Sequence, residues 1–203
     1  MTHSRQTRRH RGRGARERIL AAATELFTAQ GINATGMDQL SKAAEVSKRT
    51  LYTYFGSKDE LVHTYLQELR GHLPQAAGPS DEPTQSPREQ LLAVFDPKPR
   101  NTAAPVRGCH FLNASVEIPD PEHSVHRLAA THKREFARRL SGIARRAGVS
   151  NPEALGEQLA LLYDGAAARG TALNSSHTSA CARSIAELLV DTALAEAGPP
   201  TRT

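Results

Sequence analysis

No tryptophan occurs in this chain, and aromatic side chains make up only 4% of its 203 residues. Cysteine is scarce too. Cys109 and Cys181 alone cannot form a disulfide framework of the kind that holds small secreted domains together. No stretch approaches the roughly 18 consecutive apolar residues that a membrane-spanning helix needs. The first residues, MTHSRQTRRHRGRG, carry basic side chains with no apolar run behind them, so a secretory signal is not expected. A cytoplasmic protein with no membrane partner is the expectation. With 38% hydrophobic residues, the chain is long enough to bury a substantial core.

What is present is unevenly placed. Arg5, Arg8, Arg9, Arg11 and Arg13 precede Ala15 with no acid among them. Setting these five aside, the 26 Lys and Arg fall to 21, equal to the 21 Asp and Glu, so the excess of positive charge belongs to the amino-terminal arm. Such an arm suits a polyanion, nucleic acid most simply. It also fits a disordered, solubilising terminus.

Helical punctuation recurs and nothing alternates as strands do, so the expected fold class is all-α with about nine helices. Ile19, Ala22, Ala23, Leu26 and Phe27 recur at three- and four-residue spacing from Ala15, and Gly31 ends that helix. Thr35 is the expected cap of a second helix that turns Leu40, Ala43 and Ala44 inward; Ser47 caps a third, ending at Gly56. Ser57-Lys58-Asp59-Glu60 reads as a capping box opening a fourth through Leu69. PQAAGPSDEPTQSP then reads as a linker, and DPKPRNTAAPVRG as a second irregular stretch. Between them Ser86-Pro87 starts a helix that runs to about Phe95. Further helices are expected at Cys109–Glu117, about Pro121–Ala147, from Asn151-Pro152 to about Leu173, and from roughly Ser179 to Ala197.

The scarce aromatics gather in VSKRTLYTYFGSKDEL, where Tyr52, Tyr54 and Phe55 follow Lys48 and Arg49. At about 100° per residue, Leu51 and Phe55 share a core-facing side with Val46, while Arg49 and Thr53 point the opposite way. Tyr52 and Lys48 occupy one shoulder, Thr50 and Tyr54 the other. A helix at 35–44, a turn at Glu45-Val46 and a helix at 47–55 have the length of a helix-turn-helix, whose second helix enters the DNA major groove. Arg49 can read guanine with two hydrogen bonds, and Thr53 can meet a thymine edge. Lys48, Thr50, Tyr52, Tyr54, Lys58, Thr35 and Met37 complete the candidate DNA surface. Hydroxyls and ammonium groups there suit phosphate oxygens, which fix register without reading sequence. An aromatic-rich helix flanked by lysines is also simply a helix, and pattern alone leaves both readings open.

RERILAAATELFTAQGINATGMDQLSKAAEVSKRTLYTYFGSKDELV closely resembles the amino-terminal domain of the TetR family of bacterial transcriptional regulators. The matching features are Ile19-Leu20, Ala22-Ala23, Leu26-Phe27, Gly31, Thr35, Leu40, Ala44, Val46-Ser47, Leu51-Tyr52, Tyr54-Phe55, Lys58 and Leu61. Glu45 departs from the pattern, because family members usually carry glycine in the turn; a non-glycine residue held there at positive φ costs on the order of 1 kcal/mol. The resemblance implies a three-helix DNA-binding domain over 15–60 behind a basic arm at 1–14. It also implies a larger helical domain over 61–198 for effector binding and dimerisation, and a tail at 199–203. A homodimer on a palindromic operator follows from it, as does an unknown small-molecule effector that alters the spacing of the two heads.

In the second half, RGCHFLNASVE resembles a segment found at the ligand cavity of some family members. By position, the candidate ligand-binding residues are Phe95, Cys109, Phe111, Leu112, Glu117, His132, Phe136, Tyr163 and Asp164. Leucines and phenylalanines on a helix stripe are equally ordinary core. Cys109-His110 with His123 and His126 matches no compact zinc spacing, so no metal and no cofactor are expected. Cys109 fits a redox sensor or, more simply, a small buried hydrophobe. Asp164, His132 and Ser115 lack any nucleophile-elbow or phosphate-loop context, and no enzyme is expected. Leu155, Leu159, Leu162, Tyr163 and Ala166 form one stripe, and Ile185, Leu188, Leu189, Thr192 and Leu194 another. These last two long helices, about 152–173 and 179–197, can complete a monomer core or form a two-fold four-helix bundle with a second chain; the family favours the bundle.

Overall fold

The structure, a computed structural model, describes residues 14–72, 85–96, 106–175 and 177–196. The arginine arm at 1–13, nearly all of the first predicted linker, most of the second irregular stretch and the tail lie outside the described residues. Nine helices and no strand occur among the described residues: α1 (Ala15–Gln30), α2 (Met37–Ala43), α3 (Lys48–Tyr54), α4 (Lys58–His72), α5 (Pro87–Ala93), α6 (His110–Glu117), α7 (Ser124–Arg146), α8 (Pro152–Leu173) and α9 (His177–Glu196). The all-α reading holds. Among these residues no helix is long and apolar enough to cross a membrane.

Several starts follow from short-range capping chemistry. The Ser47 hydroxyl accepts from the Thr50 N–H at 3.0 Å and opens α3. Ser86 and Glu89 form a reciprocal capping box at α5, and the Asn151 side chain accepts from the Ala154 N–H at α8. Three expectations need correction. Gly36, not Thr35, is the cap of α2, because the Thr35 hydroxyl turns inward and donates to the Gly31 carbonyl at 2.7 Å. Ala43 faces solvent while Ala44 is fully buried, one residue of helix rotation from the expected pair. At α4, Ser57 caps the Glu60 N–H, but the Glu60 carboxylate reaches back one residue further, to the Gly56 N–H at 2.9 Å.

Two cores organise the helices. The first gathers Ile19, Phe27, Leu40, Leu51, Phe55, Leu61 and Tyr65 with Phe111, Ala114, Val125 and Leu128, so the amino-terminal helices share apolar packing with α6 and the start of α7. The second joins Leu91 of α5 and Phe95 just beyond it with Leu140, Ile143, Leu155, Leu159, Ala186 and Val190 from α7, α8 and α9. The carboxy-terminal pair is only half covered by this core. Leu161, Ile185 and Leu188 are exposed at 75%, 47% and 69%, so the expected burial of Ile185 and Leu188 is not met within one chain.

Candidate nucleic-acid interface and the junction behind it

Ser47 fixes where α3 begins, and that start fixes which residues face outward. Leu51 and Phe55 are 0% and 2% exposed, whereas Tyr52 and Tyr54 are 50% and 46% exposed on the two shoulders. Arg49 and Thr53 are exposed between them. The turn before α3 is tight: the Val46 N–H donates to the Ser41 carbonyl at 3.0 Å, and Glu45 adopts φ 53°. The acidic side chain therefore occupies the left-handed conformation that glycine would take more easily.

The outward surface differs in detail from the sequence reading. Lys48 makes an ion pair with Asp38 of α2 at 2.6 Å. Both partners are largely exposed, so the pair is weak and leaves the ammonium able to exchange for a phosphate. The Thr53 hydroxyl donates to the Arg49 carbonyl at 2.8 Å, which leaves its methyl as the outward group. Thr50 and Ser47 share a hydroxyl contact at 2.8 Å. Met37 and Lys58 are half-buried beside the strip. Thr35 is fully buried and also accepts from Gln30 Nε2 at 3.1 Å, so its hydroxyl serves the loop and not the surface.

This head is tied to α6. The Asn33 backbone N–H donates to Glu117 Oε2 at 2.7 Å, and Asn33 Nδ2 donates to the Glu117 carbonyl at 2.9 Å. Arg107 lies 3.8 Å from the same carboxylate. Glu117 was expected as an anchor in a ligand cavity; it instead clamps the loop between α1 and α2, because α6 points its carboxy-terminal end at that loop. Tyr65 of α4 meets His110 Nδ1 at 2.9 Å. Burial pushes Tyr65 up to about 12, and burial followed by the Arg107 charge pulls His110 down, so both are neutral at this contact. Arg70 and Glu135 add an ion pair at 2.5 Å between α4 and α7.

The histidines considered for metal binding have separate duties. His110 serves Tyr65, His123 accepts from the Val125 N–H at 3.3 Å as the cap of α7, and His126 Nδ1 contacts the Ile118 carbonyl at 2.8 Å.

Most of the predicted ligand-binding residues do come together, at the seam between the two cores. Phe111 stacks on His132 with ring centroids 3.7 Å apart. Tyr163 meets Phe136 at 5.1 Å and Phe95 at 6.2 Å. Lys133 joins these groups: its ammonium donates to Cys109 Sγ at 3.2 Å, is paired with the Asp164 carboxylate, and sits 6.0 Å from the Tyr163 ring centre. Burial alone would lower the Lys133 amine, but Cys109 and Asp164 outweigh it and its pKa is raised. Leu112 is half-buried, its carbonyl accepting the Ser115 hydroxyl.

Lys133 was missed in the sequence. The signal was there: a lysine on the inward stripe of α7 and an aspartate on the inward stripe of α8 each need a partner, and opposite charges on facing stripes supply one another.

Known proteins share this helical architecture. Residues 19–65 match the family model for bacterial regulatory proteins of the tetR family. A curated relative, the uncharacterized HTH-type transcriptional regulator YhgD of Bacillus subtilis, is 38% identical over 82 residues, 38% of this chain and 43% of that protein. This match spans less than half the length of that relative. Similarity to solved structures extends further. A TetR-family transcriptional regulator from Streptomyces coelicolor is 30% identical, covers 89% of this chain and 96% of its own, and superposes with a TM-score of 0.78. A protein from Streptomyces avermitilis described as a regulator of the same type is 34% identical over 89% of this chain and 98% of its own, with a TM-score of 0.75.

Proposed function

This chain belongs to the TetR family of bacterial transcriptional regulators, and we propose that it is a dimeric repressor, released from a palindromic operator by a small molecule bound in its larger helical part. The observation that carries the reading is α3: its Leu51 side is sealed in the core while Arg49, Thr53, Tyr52 and Tyr54 stand outward. A major groove admits a helix presented in this way. Arg49 supplies base readout and the Thr53 methyl meets a thymine edge. The tyrosines, Thr50, Lys48 and Lys58 hold phosphates, with Met37 at the edge of the contact.

The domain plan follows the same division. A head over 15–60 binds DNA and the helices over 61–198 form the effector-binding and dimerisation part, with the arginine arm adding phosphate or minor-groove contacts. The exposed Leu161, Ile185 and Leu188 support pairing of α8 and α9 with their copies across a two-fold axis. Two heads on one DNA face then call for half-sites about 34–36 Å apart, or a compatible multiple. An effector that favours another head spacing dissociates the complex, provided it binds that state more tightly. The seam around Phe111, His132, Phe136, Tyr163, Asp164 and Cys109, with Phe95 beside it, is the effector site in this reading.

Footprinting on DNA flanking the coding region, followed by competition with scrambled duplex, tests the reading. Specific protection of a palindrome is expected, and Arg49→Ala should weaken binding by about 1–3 kcal/mol, roughly 5- to 150-fold. Equal affinity for scrambled duplex would instead mark a non-specific nucleic-acid binder. Dimerisation has its own check. Leu188→Arg places a charge in the paired face, and sedimentation should then find monomers with correspondingly weaker operator binding; an intact dimer would place the interface elsewhere.

A further inference from the structure

The inward face of α7 passes from one core to the other along its length. Val125, Leu128 and Ala129 belong to the first core, and Ala137, Leu140 and Ile143 to the second. His132 lies in the gap between these groups. It is only 6% exposed, and its Nδ1 has no hydrogen-bond partner among the described residues. The Nε of Arg139 is likewise buried and without a partner there. Seven residues complete two helical turns to within about 20°, so His132 and Arg139 share one face, with Phe136 on that face between them. Long helical side chains lean toward the amino-terminal end, which brings the Arg139 guanidinium toward His132. After burial and the Lys133 charge, Arg139 is the next influence holding the His132 imidazole down at about 4. Two unpartnered nitrogens buried on one face cost stability unless a ligand or water supplies their partners.

The neighbouring charges are already matched. Arg70 pairs with Glu135 at 2.5 Å and Lys133 pairs with Asp164, whereas no ion pair involves Arg139 among the described residues. The gap therefore offers one uncompensated positive charge, one neutral imidazole nitrogen and flat apolar walls. Phe111 lies on the His132 ring with centroids 3.7 Å apart, and Phe136 meets Tyr163 at 5.1 Å. A phosphate or another dianion would call for a second free cation. A neutral hydrocarbon would leave both nitrogens bare.

We propose that this gap binds a flat aromatic carboxylate bearing a hydroxyl group, with the carboxylate on the Arg139 guanidinium, the ring along Phe136 and Phe111, and the hydroxyl on His132 Nδ1. The inference deepens the effector reading above by naming the effector's chemical class, and rests on that reading for any consequence at the operator. The carboxylate supplies the acceptor that Arg139 Nε lacks. A hydroxyl both donates and accepts, so it satisfies Nδ1 in either tautomer of the neutral ring. The bound ring lies against α6 through Phe111, and α6 holds the DNA head through Glu117 and Asn33 at its other end. Occupancy of the gap and the position of the head are linked by that one short helix.

Isothermal titration calorimetry of the full-length chain without DNA tests the site. The probes are 4-hydroxybenzoate, 4-hydroxyphenylacetate and 4-hydroxycinnamate, each set against its methyl ester. At least one acid is expected to bind about 10- to 100-fold more tightly than its ester, the range of a charge-assisted hydrogen bond. Arg139→Met should abolish that preference, and Arg139→Lys should retain part of it. Removing the hydroxyl from the tightest acid should cost about fivefold in the native chain and nothing in His132→Phe. Urea titration separates binding from a merely structural role. Because Arg139→Met removes a half-buried charge that has no partner, it is expected to leave the unfolding midpoint unchanged or raised. Failure of all three acids to bind, equal affinity for acid and ester, or a preference that survives Arg139→Met in a folded chain overturns the proposal. So does a fall in the Arg139→Met midpoint. An acid that binds through Arg139 yet leaves operator affinity unchanged would uphold the site and sink the effector reading. Absence of specific DNA binding would sink the regulator reading, and the calorimetry would still judge the site.

Discussion

Replacing Leu51 with alanine is expected to lower the unfolding free energy by about 2–5 kcal/mol, the usual range for removing a fully buried leucine from a core that cannot collapse around the gap. Leu51 is 0% exposed and belongs to the apolar cluster that also holds Leu40, Phe55 and Leu61. It is the residue that seats α3, so the lost packing and the lost DNA surface have one origin. Urea titration read by circular dichroism measures the first, and operator binding below the unfolding midpoint measures the second. Tyr52→Ala is the matched control. Tyr52 lies in the same helix but is 50% exposed, so its removal should cost within about 0.5 kcal/mol of stability while still weakening DNA binding. A Leu51→Ala cost under about 1 kcal/mol would mean that α3 is not anchored by this side chain.

Acidification should destabilise the protein through His132. Burial, reinforced by the Lys133, Arg139 and Arg70 charges, holds its pKa down at about 4. In the unfolded chain the imidazole titrates near 6.5. Between those values the unfolded state carries a proton that the folded state lacks, so folding stability is complete above about pH 6.5 and is lost as the pH falls toward 4. At pH 5 the loss attributable to His132 is about 2 kcal/mol. His110, pulled down by burial and by Arg107, acts in the same direction. Comparing urea midpoints at neutral and mildly acidic pH gives the slope, and His132→Phe, which keeps a ring against Phe111, should remove about that amount of it. An unchanged slope in His132→Phe would assign the acid sensitivity to other groups.

Much of the head was legible because its determinants are close in sequence. Ser47 is three residues from the N–H it caps, Leu51 and Phe55 are one helical turn apart, and Gly31 ends α1 with φ 95°. Even the strained turn could be anticipated, since Glu45 does take a positive φ. Thr35 was harder to place. A threonine before a helix is ordinarily its cap, and only the backward hydrogen bond to Gly31 and the packing around it turn the hydroxyl inward. Ile185 and Leu188 show the converse difficulty. Periodicity marks them as apolar but does not say whether the surface that covers them belongs to the same chain.

By itself, the order of residues determined the helical class, the helix–turn–helix segment and the outward face of α3, since caps, turn residues and a 3.6-residue period act over a few positions along one strand of chain. Tertiary structure alone decided that Glu117 clamps Asn33, 84 positions away, and that Lys133 stands between Cys109 and Asp164. Those partners are chosen by how helices cross, and a buried charge takes whichever opposite group the crossing brings within reach.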